Sequence, residues 1–130
     1  MSQENVEIVQ NALNGFVASD QATWGMLDRD IEVHDHDIMD AGEYRGHAGF
    51  ERWIEDWESA WSEYSTQPQE FIDAGERVVV FILQTTTGQG SGLVLERHDA
   101  MVFELRDAMI VRLDYYNSRS QALQAAGLAA

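Results

Sequence analysis

Three strand-like runs that follow one another with only turns between them constrain this chain more than any other feature. Arg77 to Thr87 holds the unbroken apolar segment Val78 to Leu83, Leu93 to Leu105 is a long second run, and Met109 to Tyr116 is a third. The joints are Gly88-Gln89-Gly90-Ser91-Gly92 and Arg106-Asp107-Ala108, both turn sequences, so the runs form an antiparallel meander. The glycine-rich joint is no phosphate loop, because a strand follows it and the chain has no Lys. A meander with this much apolar surface needs a layer to cover it.

The covering layer lies earlier in the chain. Val6, Val9, Leu13, Phe16 and Val17 recur at helical spacing, with Ser2 and Glu4 suited to the start. Asp20 reads as the cap of a short second helix carrying Ala22, Trp24, Met26 and Leu27, closed by Asp28-Arg29-Asp30. Phe50, Trp53, Ile54, Trp57, Trp61 and Tyr64 trace one face of a long helix. Between these, Ile31 to Asp35 reads as a first strand. Thr66 to Ile72 reads as an edge strand, because Pro68 cannot donate to a ladder. Asn117 or Ser118 can cap a last helix that Gly127 stops. Helices come mostly first and strands mostly last, which gives an α+β class: a curved antiparallel sheet packed against three to four helices. No linker or repeat interrupts residues 1–130, which read as one domain.

Charge narrows the partners. The net charge is -15, from 23 Asp and Glu against eight basic residues, so nucleic acid and acidic membrane surfaces would be repelled. All eight basic residues are Arg and no Cys is present, which removes Schiff-base, thiol and thiolate–metal chemistry. The N-terminus lacks a basic segment and an apolar run, so a soluble, cytoplasmic protein is expected.

Chemistry concentrates in Ile31-Glu32-Val33-His34-Asp35-His36-Asp37. Alternation puts Ile31, Val33 and Asp35 on one face and Glu32, His34 and His36 on the other. If the apolar pair faces the core, Asp35 points inward, where desolvation favours a proton-accepting role; the competing reading has it capping the following loop. His34 and His36 have a spacing that binds a divalent ion if Asp37 or Glu32 converges, and His34 alone suits orienting or protonating a substrate. Tyr44, Tyr115 and Tyr116 can supply a phenol, although only one of Tyr115 and Tyr116 can face inward. Arg97, Asp99, Met101, Phe103 and Leu105 share the inward face of their strand, where Asp99 is either catalytic or paired with Arg97 or Arg112.

The order of Asn5-Val6-Glu7-Ile8-Val9, Asp30-Ile31-Glu32-Val33-His34-Asp35, Tyr44-Arg45-Gly46-His47, Phe71-Ile72-Asp73-Ala74-Gly75-Glu76-Arg77-Val78, Ile110-Val111-Arg112-Leu113 and Ala122-Leu123-Gln124-Ala125-Ala126-Gly127-Leu128 resembles SnoaL-like proteins. These belong to the superfamily of nuclear transport factor 2, ketosteroid isomerase, polyketide cyclases and related dehydratases. The resemblance implies a cystatin-like cone whose open mouth holds a hydrophobic small molecule without cofactor or metal, often in a homodimer. It places Asp35 where the isomerase branch carries its general base, and Asp99 or Met101 near that branch's oxyanion-hole carboxyl. The first helix lacks the branch's tyrosine, and Ser118 stands where cyclases tend to have an acid.

The expected catalytic set is Asp35, His34, Tyr44 and Asp99. The pocket is expected to take Phe16, Trp24, Trp53 and Trp57 from the helices, with Trp61 structural. Val33, Phe81, Met101, Phe103, Leu113 and Tyr115 are expected from the strands, with Leu83 continuing Phe81's wall. The expected activity is isomerase, cyclase or dehydratase chemistry by acid–base catalysis on an apolar carbonyl compound. A binding or dimerisation module of the same fold is the alternative.

Overall fold

A computed structural model describes residues 2–17, 25–36 and 43–128. In chain order these form α1 (Ser2–Val17), β1 (Leu27–Asp35), β2 (Glu43–Arg45), α2 (Gly46–Ala60), β3 (Trp61–Ala74), β4 (Arg77–Gly88), β5 (Val94–Arg106), β6 (Met109–Tyr116) and α3 (Arg119–Ala125). The strands make one curved six-stranded sheet in the order β2-β1-β6-β5-β4-β3. All neighbours are antiparallel except β1 and β6, which run parallel. That pair could not be read from the hairpins, since it joins segments far apart in sequence. The helix expected after Asp20 lies mostly outside the described residues. Among the described residues no helix is long and apolar enough to cross a membrane.

The sheet has two apolar faces. On the inner face Val78, Val80, Ile82, Met101, Phe103 and Leu113 pack against Val9 and Leu13 of α1 and Phe50 and Trp53 of α2. On the outer face Val79, Ala100 and Val102 pack against Ala122 and Ala126. α3 is held there by the Ser118 hydroxyl, which accepts from the Gln121 amide, and by Gly127 at φ 79°, beyond its end.

Three details differ from the sequence reading. The stripe Phe50 to Tyr64 predicts a helix through Tyr64, but α2 ends at Ala60 and Trp61 is extended, with φ -131° and ψ 146°. Aromatic and hydroxyl residues from Trp61 to Thr66 suit a strand as well as a helix face, and pairing with the end of β4 decides for the strand. Trp61 and Tyr64 therefore belong to β3, an edge strand as Pro68 requires, with a register shift after the proline. Leu27 opens β1 instead of closing a helix: it is buried and pairs with Ile110, and the irregularity before Glu32 accommodates Asp28, Arg29 and Asp30.

The last concerns Phe81 and Leu83. Phe81 packs with the outer cluster, under the Arg119 guanidinium at 4.7 Å, and Leu83 shares its parity. An unbroken apolar run such as Val78 to Leu83 carries no alternation from which its inner face can be read. Val78, Val80 and Ile82 are the inward residues.

Candidate functional site

The inner face does not fill completely. A cavity of about 480 Å³ lies between α1, α2 and the sheet, within the range of small-molecule sites. Leu13, Phe50 and Ile54 close one side, and Met101, Phe103 and Leu113 form the sheet floor. Trp53, Trp57 and Tyr115 are packed together in the wall, with Tyr115 6.2 Å from Trp53 and 5.5 Å from Trp57 between ring centroids. Tyr64, Ser65, Thr66 and Gln84 add a polar sector from β3 and β4.

Asp35 ends β1 with the inward parity of Ile31 and Val33, and all three are fully buried. Its Oδ2 accepts the Trp53 indole N–H at 2.8 Å. The carboxylate stands just behind the cavity wall, with Trp53 in the wall itself. In the parallel register Asp35 lies opposite Tyr115. The Tyr115 phenol donates to Asp99 Oδ2 at 2.5 Å, and Asp99 is also paired with Arg97 at 3.0 Å. The Arg97 guanidinium stacks 5.6 Å above the Trp57 ring. Two buried carboxylates therefore sit behind the wall, each joined to an aromatic donor of that wall. Burial of a carboxylate is tolerated only with such partners.

Gln84 is the polar residue the sequence reading missed. It is 1% exposed, and its Oε1 accepts the Thr66 hydroxyl at 2.6 Å. It continues Val78, Val80 and Ile82 on the inward face, a parity that the unbroken apolar run before it hides in the sequence.

Other expected residues lie elsewhere. Val33 is core and does not reach the cavity wall. The Phe16 side chain and Trp24 are outside the described residues. Tyr44 is a buried β2 residue whose hydroxyl donates to Asp56 at 2.8 Å, away from the cavity. Burial and Asp56 push its phenol up to about 12. His34 faces the outer side, where its ring nitrogens meet Glu32 at 3.2 Å and Glu43 at 3.7 Å. His36 bonds Asp114 at 2.8 Å and stacks on Tyr116 at 4.4 Å. Tyr116 is thus the outward member of its pair and Tyr115 the inward one. Burial opposes ionisation of Asp114, but hydrogen bonds from Arg112 and His36 outweigh it and hold the carboxyl below its usual range. Among the described residues no group of three His, Asp or Glu converges as a metal site; Asp37 lies outside them.

A family model described as a SnoaL-like domain matches residues 9–113. No curated protein matches the chain. Among solved structures, TerC co-crystallised with polyporic acid is 21% identical over 95% of this chain and 98% of that one, with a TM-score of 0.78. An NTF2-like protein from Burkholderia xenovorans LB400 is 26% identical over 97% of each chain, with a TM-score of 0.76. A protein with a ketosteroid isomerase-like fold from Catenulispora acidiphila DSM 44928, in complex with trimethylamine, is 18% identical over 94% of this chain and 93% of that one, with a TM-score of 0.73.

Proposed function

This chain belongs to the SnoaL-like domain family, and from that premise we propose that it binds a neutral, largely apolar carbonyl compound in the cavity and moves a proton on it without a cofactor. The observation that carries this reading is the fully buried Asp35, held by Trp53 and standing opposite Tyr115 in register. Asp35 and Tyr115 stand side by side on adjacent strands, and a carboxylate base with a phenol donor is the pair that proton transfer next to a carbonyl needs.

In this scheme an Asp35 oxygen takes the proton, the C–H bond breaks, and its electron pair moves onto the carbonyl oxygen. The Tyr115 O–H rotates from Asp99 toward that oxygen, while Arg97 stays paired with Asp99 and keeps its charge compensated. Return of the proton to a different carbon gives isomerisation; loss of a leaving group from the same enolate gives elimination. His34 has no part in this scheme because it faces the outer side with Glu32 and Glu43, and Tyr44 has none because its phenol is held by Asp56.

A second reading, binding without turnover, is favoured by one observation: Asp35 stands behind the wall with Trp53 over it. Exchange of ketone α-hydrogens for deuterium, followed by proton NMR, separates the two. Catalysis predicts exchange with wild type and a loss of about 100-fold or more in Asp35→Asn, with circular dichroism confirming the fold. Ligand binding with equal, background exchange in both proteins would establish the binding module instead.

A further inference from the structure

An open sheet has edges, and an edge left bare invites another strand. Both terminal edges of this sheet are blunted: β2 has three residues, and β3 carries Pro68 and two register shifts. A further edge lies inside the strand order. β5 pairs with β4 from Val94 onward, but with β6 only from Ala100 onward. Val94, Leu95 and Glu96 therefore have β4 on one side and no strand on the other among the described residues. β5 is 13 residues long, contains no Pro and pairs with β4 without a register shift, so neither shortness, proline nor bulge blunts this edge.

Side chains and charge mark the same place. Leu93, Val94 and Leu95 are 66%, 63% and 51% exposed, and the other exposed large apolar residue among those described is Tyr64, at 39%. Large apolar side chains gathered in the open mark an interaction site. Residues 78–95 include no charged side chain, in a chain whose net charge is -15. Two such chains repel each other over most of their surfaces, and an uncharged corner is where their backbones can meet.

We propose that this edge is where a second copy of the chain adds its own residues 94–96, antiparallel about a two-fold axis at Leu95, so that one sheet runs through both copies. An axis perpendicular to the sheet keeps inward residues opposite inward residues. Centred on Leu95, it sets Leu95 against Leu95 and Val94 against Glu96 of the other copy, with Leu93 beside Arg97. Centring on Glu96 or Arg97 sets like charges directly opposite each other, which destabilises the pair. Centring on Val94 draws Gly92 into the ladder, and its φ of 67° does not suit a strand. Arg97 and Asp99 follow in the same strand, so the added strand also steadies the segment that backs Trp57 and Tyr115 in the cavity wall.

Few residues of each copy meet, so association stands at the weak end, with half dimerisation at about 100 µM. Sedimentation velocity of the full chain from about 1 µM to about 1 mM should therefore pass from monomer to dimer. Leu95→Glu puts two carboxylates on the axis and should weaken association about tenfold or more, with the circular dichroism of wild type. The chain has no Cys, so single-cysteine variants report the register. Leu95→Cys oxidised by diamide should give a disulfide-linked dimer, whereas Glu96→Cys, which faces Val94 of the other copy and not itself, should cross-link about tenfold more slowly. A wild type that stays monomeric, a dimer that Leu95→Glu leaves as strong as before, or cross-linking as fast through Glu96→Cys as through Leu95→Cys overturns the proposal.

Discussion

The Trp53 indole reaches from α2 to the end of β1 and donates to the buried carboxylate of Asp35 at 2.8 Å, tying the covering helix to the strand it covers. Removing a donor to a buried charged acceptor costs about 2–3 kcal/mol beyond the packing lost with the ring. Trp53→Phe should therefore lower unfolding free energy by at least that amount in urea titrations. Asp35→Asn retains an acceptor oxygen and should cost less. The double mutant should show a coupling of about 1.5 kcal/mol or more. A coupling of only a few tenths would mean that the indole and carboxylate do not depend on each other.

Tyr44 makes an equivalent link from β2 to α2 through Asp56. Its pKa is raised from 10.0 to about 12, first by burial and then by Asp56, so the fold favours the neutral phenol. That contribution is fully present below pH 10.0 and is lost as pH rises toward about 12. A two-unit shift corresponds to about 3 kcal/mol at most. Wild type and Tyr44→Phe should differ most in stability near neutral pH, and their urea midpoints should converge at about pH 11 to 12. The other tyrosines are common to both proteins and cancel in the comparison. A constant difference across that range would contradict the assignment.

On the outer face, Asp114 binds Arg112 through two bonds of 2.8 and 3.0 Å and His36 through one of 2.8 Å. Its carboxyl is held below the ordinary aspartate value of 3.8, so its contribution is complete above that pH and is lost as pH falls below it. Asp114→Asn should cost about 2 kcal/mol at neutral pH, and the difference from wild type should shrink as both are acidified below pH 4. Thermal melts across an acid series would show this. A penalty that stays constant down to pH 2 would place the effect in packing and not in charge.

Much of this architecture was legible because short-range signals and tertiary contacts agree. Turn residues specify the β4–β5–β6 meander, Pro68 marks the edge strand, and the alternation Ile31, Val33, Asp35 predicts the inward carboxylate that is observed. What failed did so where one pattern fits two structures. The aromatic residues at Trp57, Trp61 and Tyr64 keep helical spacing across a helix-to-strand junction, and Val78 to Leu83 is apolar on both sides of the sheet. Site composition was less legible than the fold. Tyr44 and His34 have suitable chemistry but are engaged by Asp56 and by Glu32 and Glu43, which only the three-dimensional pairing reveals. Gln84 was overlooked because taking Phe81 and Leu83 as the inward residues put Gln84, of opposite parity in the same strand, on the outer face.

The β5–β6 turn holds a correctable strain. Asp107 and Ala108 both adopt positive φ, 52° and 64°, the pattern of a two-residue hairpin whose twist matches its strands. Aspartate tolerates the left-handed region, whereas alanine gains nothing there to offset the clash of its Cβ, at a cost of about 1 kcal/mol. Glycine at that position carries no such penalty, although it adds freedom to the unfolded chain. Ala108→Gly should therefore raise unfolding free energy by about 0.5 kcal/mol or more, and Ala108→Val should lower it by about 1 kcal/mol, because a β-branched side chain suits positive φ least. The turn is distant from the cavity wall, so ligand affinity should be unchanged in both variants. Urea midpoints that move in the opposite order would show that the hairpin does not hold this conformation in solution.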